Sequence, residues 1–185
     1  MNLKLIYQRG DGMFDKEYSF RGKHAEKVIK LTAEFDSFNK LFIRNFDVYM
    51  VAPIIGFLYG RKADLDISTE TTKIFPDILI REVQNLKFNY RLIMLLDKEN
   101  EPNLDERVNK AFRYYGSIKA LPDEQLYEQY VRGGVDVLYE KLIETTSNNE
   151  DYLKNLYDFF EEFDGRYNQA ISTDSILDLC HLARS

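Results

Sequence analysis

Apolar residues recur along this chain mostly at three- and four-residue intervals, a spacing that predicts a succession of helices. In Lys23–Phe35 (KHAEKVIKLTAEF), Val28, Leu31 and Phe35 share one face and charges occupy the rest, which predicts an amphipathic helix. Phe38, Leu41, Phe42 and Phe46 repeat at i, i+3, i+4 and i+8 and extend the helical reading from Ser37 to Phe46. From Val48 to Tyr59 the only strongly polar groups are tyrosine hydroxyls, so this stretch belongs in a core. It is too short to span a bilayer, which needs roughly 20 apolar residues. Pro53 within it predicts a kink or a helix start near Ala52. Gly56 predicts close approach of two helices, because no side chain stands between the backbones.

Further helical patterns follow. One opens at Pro76-Asp77 and runs through Leu96, carrying Ile78, Leu79, Val83, Leu86, Tyr90, Ile93 and Met94. Leu104–Tyr115 predicts a shorter helix that stops at Gly116. Leu121-Pro122 begins another, with Leu126, Tyr127 and Tyr130 on one face; Gly133-Gly134 is expected to interrupt it before Val135–Ile143 resumes. Asp151–Phe163 carries a wide aromatic stripe, and Asp174–Ala183 closes the chain as a last short helix. Only the beginning looks extended. Leu3–Tyr7 and Met13–Phe20 flank the turn-forming QRGDG and predict a short hairpin. A lone two-stranded hairpin is marginal in water, so this one must pack on the helices or pair with another strand.

The fold class expected is mostly α, a compact domain of about six to seven helices with a short N-terminal β-hairpin. The hairpin is placed at residues 1–22, a helical core at 23–145, and a C-terminal helical extension at 146–185. Five small polar residues, Thr145–Asn149, mark the junction before the extension.

Charge narrows the function. Asp and Glu number 31 against 25 Lys and Arg, a net charge of −6, and a chain that binds nucleic acid through its overall field is normally basic. DNA is therefore expected to be contacted only through a partner. The single cysteine, Cys180, cannot form an internal disulfide, and the N-terminus has no apolar run of signal-peptide length. No segment reaches membrane-spanning length, and the cytoplasm is the expected location.

Catalytic chemistry is hard to find. His24 and His181 lie at opposite ends with no second ligand at metal spacing. Cys180 sits in the apolar pattern ILDLCHLA, where small-residue packing is the usual role. There is no Gly-x-Ser-x-Gly elbow and no phosphate-binding glycine loop. No metal or cofactor is expected. The acids Asp64, Asp66 and Glu70 follow Lys62, but the acid and lysine signature of a metal-dependent nuclease strand is missing. Arg61 and Lys62 end the most apolar helix, where cations meet the negative end of its dipole or grip a phosphate or a carboxylate. Arg91, flanked by apolar residues in FNYRLIMLL, needs a partner, for which Asp47 and Asp97 are the candidates. Arg61, Lys62, Arg91, Asp64 and Asp66 are thus the residues suited to holding a partner or a phosphate. The last third is crowded with aromatics beyond what one core face takes up. Tyr152, Tyr157, Phe160 and Phe163 are its interface candidates, favouring a protein partner or a homo-oligomer.

VAPIIGFLYGRKADL, NYRLIMLLDKEN, DERVNKAFRYYG and EQLYEQYVRGGVDVLYEKL stand in this order in the chain. The order resembles the small accessory proteins encoded beside bacterial DNA phosphorothioation (Dnd-type) defence loci, over roughly Phe38–Phe160. The resemblance implies a helical, non-enzymatic accessory or interaction subunit of an anti-phage DNA-modification or restriction system, and it carries over no catalytic residue. The alternative is a nucleic-acid enzyme or regulator with its site at the Gly-Arg-Lys helix end and the acidic segment after it.

Overall fold

The computed structural model describes residues 12–167. Among them are seven α-helices and one two-stranded antiparallel sheet, so the chain is mostly α. Strand β1 (Tyr18–Arg21) pairs with β2 (Thr71–Ile74), bringing Tyr18 opposite Ile74 and Arg21 opposite Thr71. The partner strand of β1 is therefore distant in sequence. Met13–Glu17 does not extend β1; it forms a turn in which the Gly12 amide donates to the Asp15 carboxylate (2.7 Å). The expected strand Leu3–Tyr7 lies outside the described residues, as does the helix expected at Asp174–Ala183.

Helix α1 (Gly22–Leu31) follows β1 directly and ends where Thr32 turns its hydroxyl back to the carbonyl of Val28 (3.0 Å). The helix expected from Ser37 to Phe46 does not form. Asp36 instead accepts hydrogen bonds from the backbone amides of Phe38 and Asn39 and from the Asn39 side chain. These local bonds compete with a helical ladder, and Phe38 is left exposed. Helix α2 (Asn45–Leu58) begins only at Asn45 and contains Pro53 in its interior, so Pro53 is not a start. It stops at Gly60, whose φ of 61° no other residue adopts cheaply. There the Arg61 amide donates to Gly56 and the Gly60 amide to Phe57, a Schellman closure.

The pattern from Pro76 to Leu96 resolves into α3 (Pro76–Arg81) and α4 (Val83–Leu96), separated at Glu82. Then comes α5 (Leu104–Val108), which widens into a π-helical segment at Asn109–Arg113, where the Tyr114 amide reaches back to Asn109 (2.9 Å). Helix α6 runs unbroken from Leu121 to Leu142, and α7 spans Asn149–Tyr167.

Gly133-Gly134 does not interrupt α6, for a steric reason. Helices α2 and α6 cross so closely that a Cβ on Gly134 would overlap the carbonyl of Ala52. One on Gly133 would overlap that of Arg61, and one on Gly56 that of Tyr130. These glycines trade helix propensity for backbone contact. The crossing is the centre of the molecule: α1, α4 and α7 pack around it, and the sheet lies against α1 and α2. The core joins Phe14 and Phe20 at one end to Leu142 and Phe159 at the other. Truncating any of its fully buried leucines or isoleucines to alanine costs about 2–5 kcal/mol.

Candidate functional site

The cationic residues at the end of α2 do not converge. The Arg61 guanidinium pairs with Glu140 of α6 (2.7 Å). Lys62 donates to the Asn100 side chain (2.9 Å) and lies over the Tyr130 ring. The segment between them and β2 is fastened to α6 by its backbone, since the Ala63 amide donates to the Gln129 carbonyl and Arg132 Nε to the Ala63 carbonyl. Asp64 is exposed, while Asp66 turns inward and accepts from the Lys23 amide (3.0 Å) and from Ser68. Asp66 therefore closes the N-terminus of α1 from a distant loop. The Ser68 hydroxyl, with the amides of Lys23 and Ser68, holds its carboxyl down at about 2. Gly22 has a φ of 52°, and a Cβ there would fall on the Asp66 carboxylate.

Arg91 has neither of its expected partners. Asp47 accepts from the Arg44 amide and guanidinium at the start of α2. Asp97 is buried and accepts from Tyr130 (2.8 Å) and Asn100. The Arg91 guanidinium instead lies 5.5 Å from the Phe112 ring centre, with its Nε buried and without a hydrogen bond among the described residues. This pair forms one side of a groove of about 400 Å³ between α4 and the π-helical segment, lined by Gln84, Phe88, Arg91, Leu92, Leu95 and Phe112. Phe88 and Phe112 are both more than half exposed. Phe88, Leu92 and Leu95 follow the i, i+4, i+7 spacing of one helix face.

Helix α7 divides the aromatic candidates. Tyr152 stacks on Phe35 at 4.9 Å, and Phe163 packs beside Phe159 against the core. Tyr157 and Phe160 face outward with Leu153, each about 60% exposed. Glu162 pins this helix down: it accepts from Lys141 (2.5 Å), from the Tyr59 hydroxyl and from Arg166.

A second cavity was not legible in the sequence. The first half of α6, with Met13 and Leu65, encloses a groove of about 490 Å³ lined also by Leu121, Glu124, Gln125, Glu128, Gln129 and Arg132. Glu128 forms part of its wall and is 22% exposed. Behind it, the Tyr49 hydroxyl of α2 donates to Oε1 (3.4 Å), and the Tyr18 hydroxyl of β1 hydrogen-bonds the same carboxyl. Arg132 approaches Oε2 at 3.7 Å. Burial pushes the Glu128 carboxyl up to about 7, against the opposing pull of Tyr18, Arg132 and Tyr49, with Glu124 adding to the rise. The only sequence signal was a glutamate directly beside the core residue Tyr127; its phenol partners come from elements remote in the chain.

Among the described residues no group of histidine, cysteine or carboxylate side chains is arranged to hold a metal ion, and no helix is long and apolar enough to cross a membrane. No protein-family model matches the chain, and no curated protein or solved structure is significantly similar to it.

Proposed function

We propose that this chain is a non-enzymatic interaction subunit of a bacterial DNA-modification or restriction-type defence system. The observation that carries the reading is the apolar groove between α4 and the π-helical segment, with Phe88 and Phe112 exposed on its walls and Arg91 at its side. A groove of this kind takes the apolar face of a partner helix. Arg91 adds a preference for an acidic residue on that helix, because its planar fork matches a carboxylate. Two of the four segments that carry the resemblance to Dnd-type accessory proteins, NYRLIMLLDKEN and DERVNKAFRYYG, supply Arg91, Leu92, Leu95 and Phe112. The net charge of −6 favours DNA contact by the partner.

The alternative, a nucleic-acid enzyme built on Arg61, Lys62, Asp64 and Asp66, has less support. Three of those four side chains are engaged with Glu140, Asn100 and the start of α1.

The test is purification of the tagged chain from its native host with identification of what accompanies it. Nuclease or DNA-modification subunits should accompany the wild type and be lost with Phe88→Glu and with Arg91→Glu, while both variants melt at the wild-type temperature. Retention of the same proteins by both variants, or absence of such subunits from the wild type, would refute the reading.

A further inference from the structure

The groove between α4 and the π-helical segment joins an apolar surface to one unpaired charge. Phe88, Leu92 and Leu95 of α4 and Phe112 of the π-helical segment make it apolar, and Gln84 and Arg91 are its polar groups. Among the described residues no carboxylate lines it. Arg91 Nε is buried without a hydrogen bond among the described residues, and the guanidinium rests on the Phe112 ring, 5.5 Å from its centre. The ring face offsets part of that charge. A guanidinium partly withdrawn from water is stabilised further by an anion brought to it. From Phe88 to Leu95 the apolar strip runs seven residues along α4, about 10 Å.

We propose that this groove binds a free aliphatic carboxylate of medium chain length, with the carboxylate on the Arg91 guanidinium and the hydrocarbon along Phe88, Leu92, Leu95 and Phe112. The planar fork of an arginine receives both oxygens of a carboxylate, and the Gln84 amide is a further donor. A volume of about 400 Å³ lies within the range of small-molecule sites, and the strip is as long as an extended chain of this class. Lys87, one turn before Arg91 on α4, adds to the local positive potential. The net charge of −6 acts weakly against this, because screening removes most of the field beyond about 8 Å at physiological salt. The ligand presents to Arg91 the group that an acidic partner helix would present, and it needs no partner to do so.

Titration calorimetry of the purified chain with octanoate, below its micelle concentration, tests the proposal. Octanol keeps the chain without the charge, octylammonium reverses the charge, and acetate keeps the head without the chain. Octanoate should bind at one site, octanol and octylammonium about tenfold or more weaker, and acetate not measurably. Arg91→Gln should weaken octanoate binding by about tenfold or more and leave octanol unchanged. Phe88 is more than half exposed, so Phe88→Ser spares the core, and it should weaken octanoate and octanol alike by several-fold. Lys154→Ala, on α7, should bind as wild type. Absence of octanoate binding at millimolar concentration would overturn the proposal. So would octanol binding as tightly as octanoate, or wild-type affinity in folded Arg91→Gln or Phe88→Ser. The titration uses the chain alone, so failure there removes the ligand without touching the protein partner, and failure of co-purification removes the partner without touching the ligand.

Discussion

Gly134 and Gly165 both lie in helices, yet alanine at each should act in opposite directions. At Gly134 the new methyl group would strike the Ala52 carbonyl, and about 3 kcal/mol or more of stability should go, read by urea unfolding. At Gly165 nothing among the described residues lies within reach of an added Cβ, so alanine should add about 0.5–1 kcal/mol through helix propensity. Acid titration divides the carboxylates in the same way. Burial opposes ionisation of Asp136, but hydrogen bonds and charge from His24 and Lys27 (2.7 Å) outweigh it and bring the group down to about 2. Its folded value lies below its unfolded one. Its contribution is therefore present above about pH 4 and fades as pH falls toward 2. Asp136→Asn should lower the melting temperature at pH 6 and lower it progressively less as the pH is brought down toward 2. Glu128 has the opposite sign. Its folded value of about 7 exceeds its unfolded one, so the stability it contributes at low pH is lost as pH rises from about 4.5 through 7. Glu128→Gln should flatten that slope in melts taken between pH 5 and pH 8. The identities of Asp36, Asp66 and Glu128 were plain in the sequence, but their roles were not. Asp36 hid an Asx turn inside an apparently helical pattern, and the other two act on elements far along the chain.

At the scale of elements, the period of the apolar residues located most helices but not their ends or registers. The apolar stretch from Val48 to Tyr59 became α2, and the Leu121 pattern became α6, because burial of one stripe dominates both. The breaks were less legible. Gly-Gly reads as an interruption until a second backbone is known to lie on it. The π-helical widening at Asn109–Arg113 adds one residue to a turn and leaves the composition unchanged. Helix α7 offers a clean contrast between its two faces. Phe159 lies in the core and stacks on Tyr59 at 6.4 Å, so Phe159→Ala should cost about 3 kcal/mol or more. Leu153, Tyr157 and Phe160 are about 60% exposed, and replacing each by lysine should change the unfolding free energy by no more than about 0.5 kcal/mol, read by urea unfolding.

At the scale of the whole molecule, the acidic surface and the apolar groove make separable predictions. A net charge of −6 should keep the purified chain from shifting bare duplex DNA in a gel at physiological salt. If the proposed function holds, a shift should appear only once the co-purifying subunits are added, and Phe88→Glu should remove it. The class of the molecule, many helices around one core, was legible because fourteen in every hundred residues are aromatic and the apolar spacing is regular. Its topology was not, since β1 finds its partner after α1 and α2 have intervened.

The α2–α6 crossing also has a consequence during synthesis. Ala52 and Gly56 leave the ribosome long before Gly133 and Gly134, and until then the most apolar helix of the chain lacks its main packing partner. A nascent chain halted before α6 should be held by chaperones or cleared by proteases, and the molecule acquires its centre only once Leu121–Leu142 has been made.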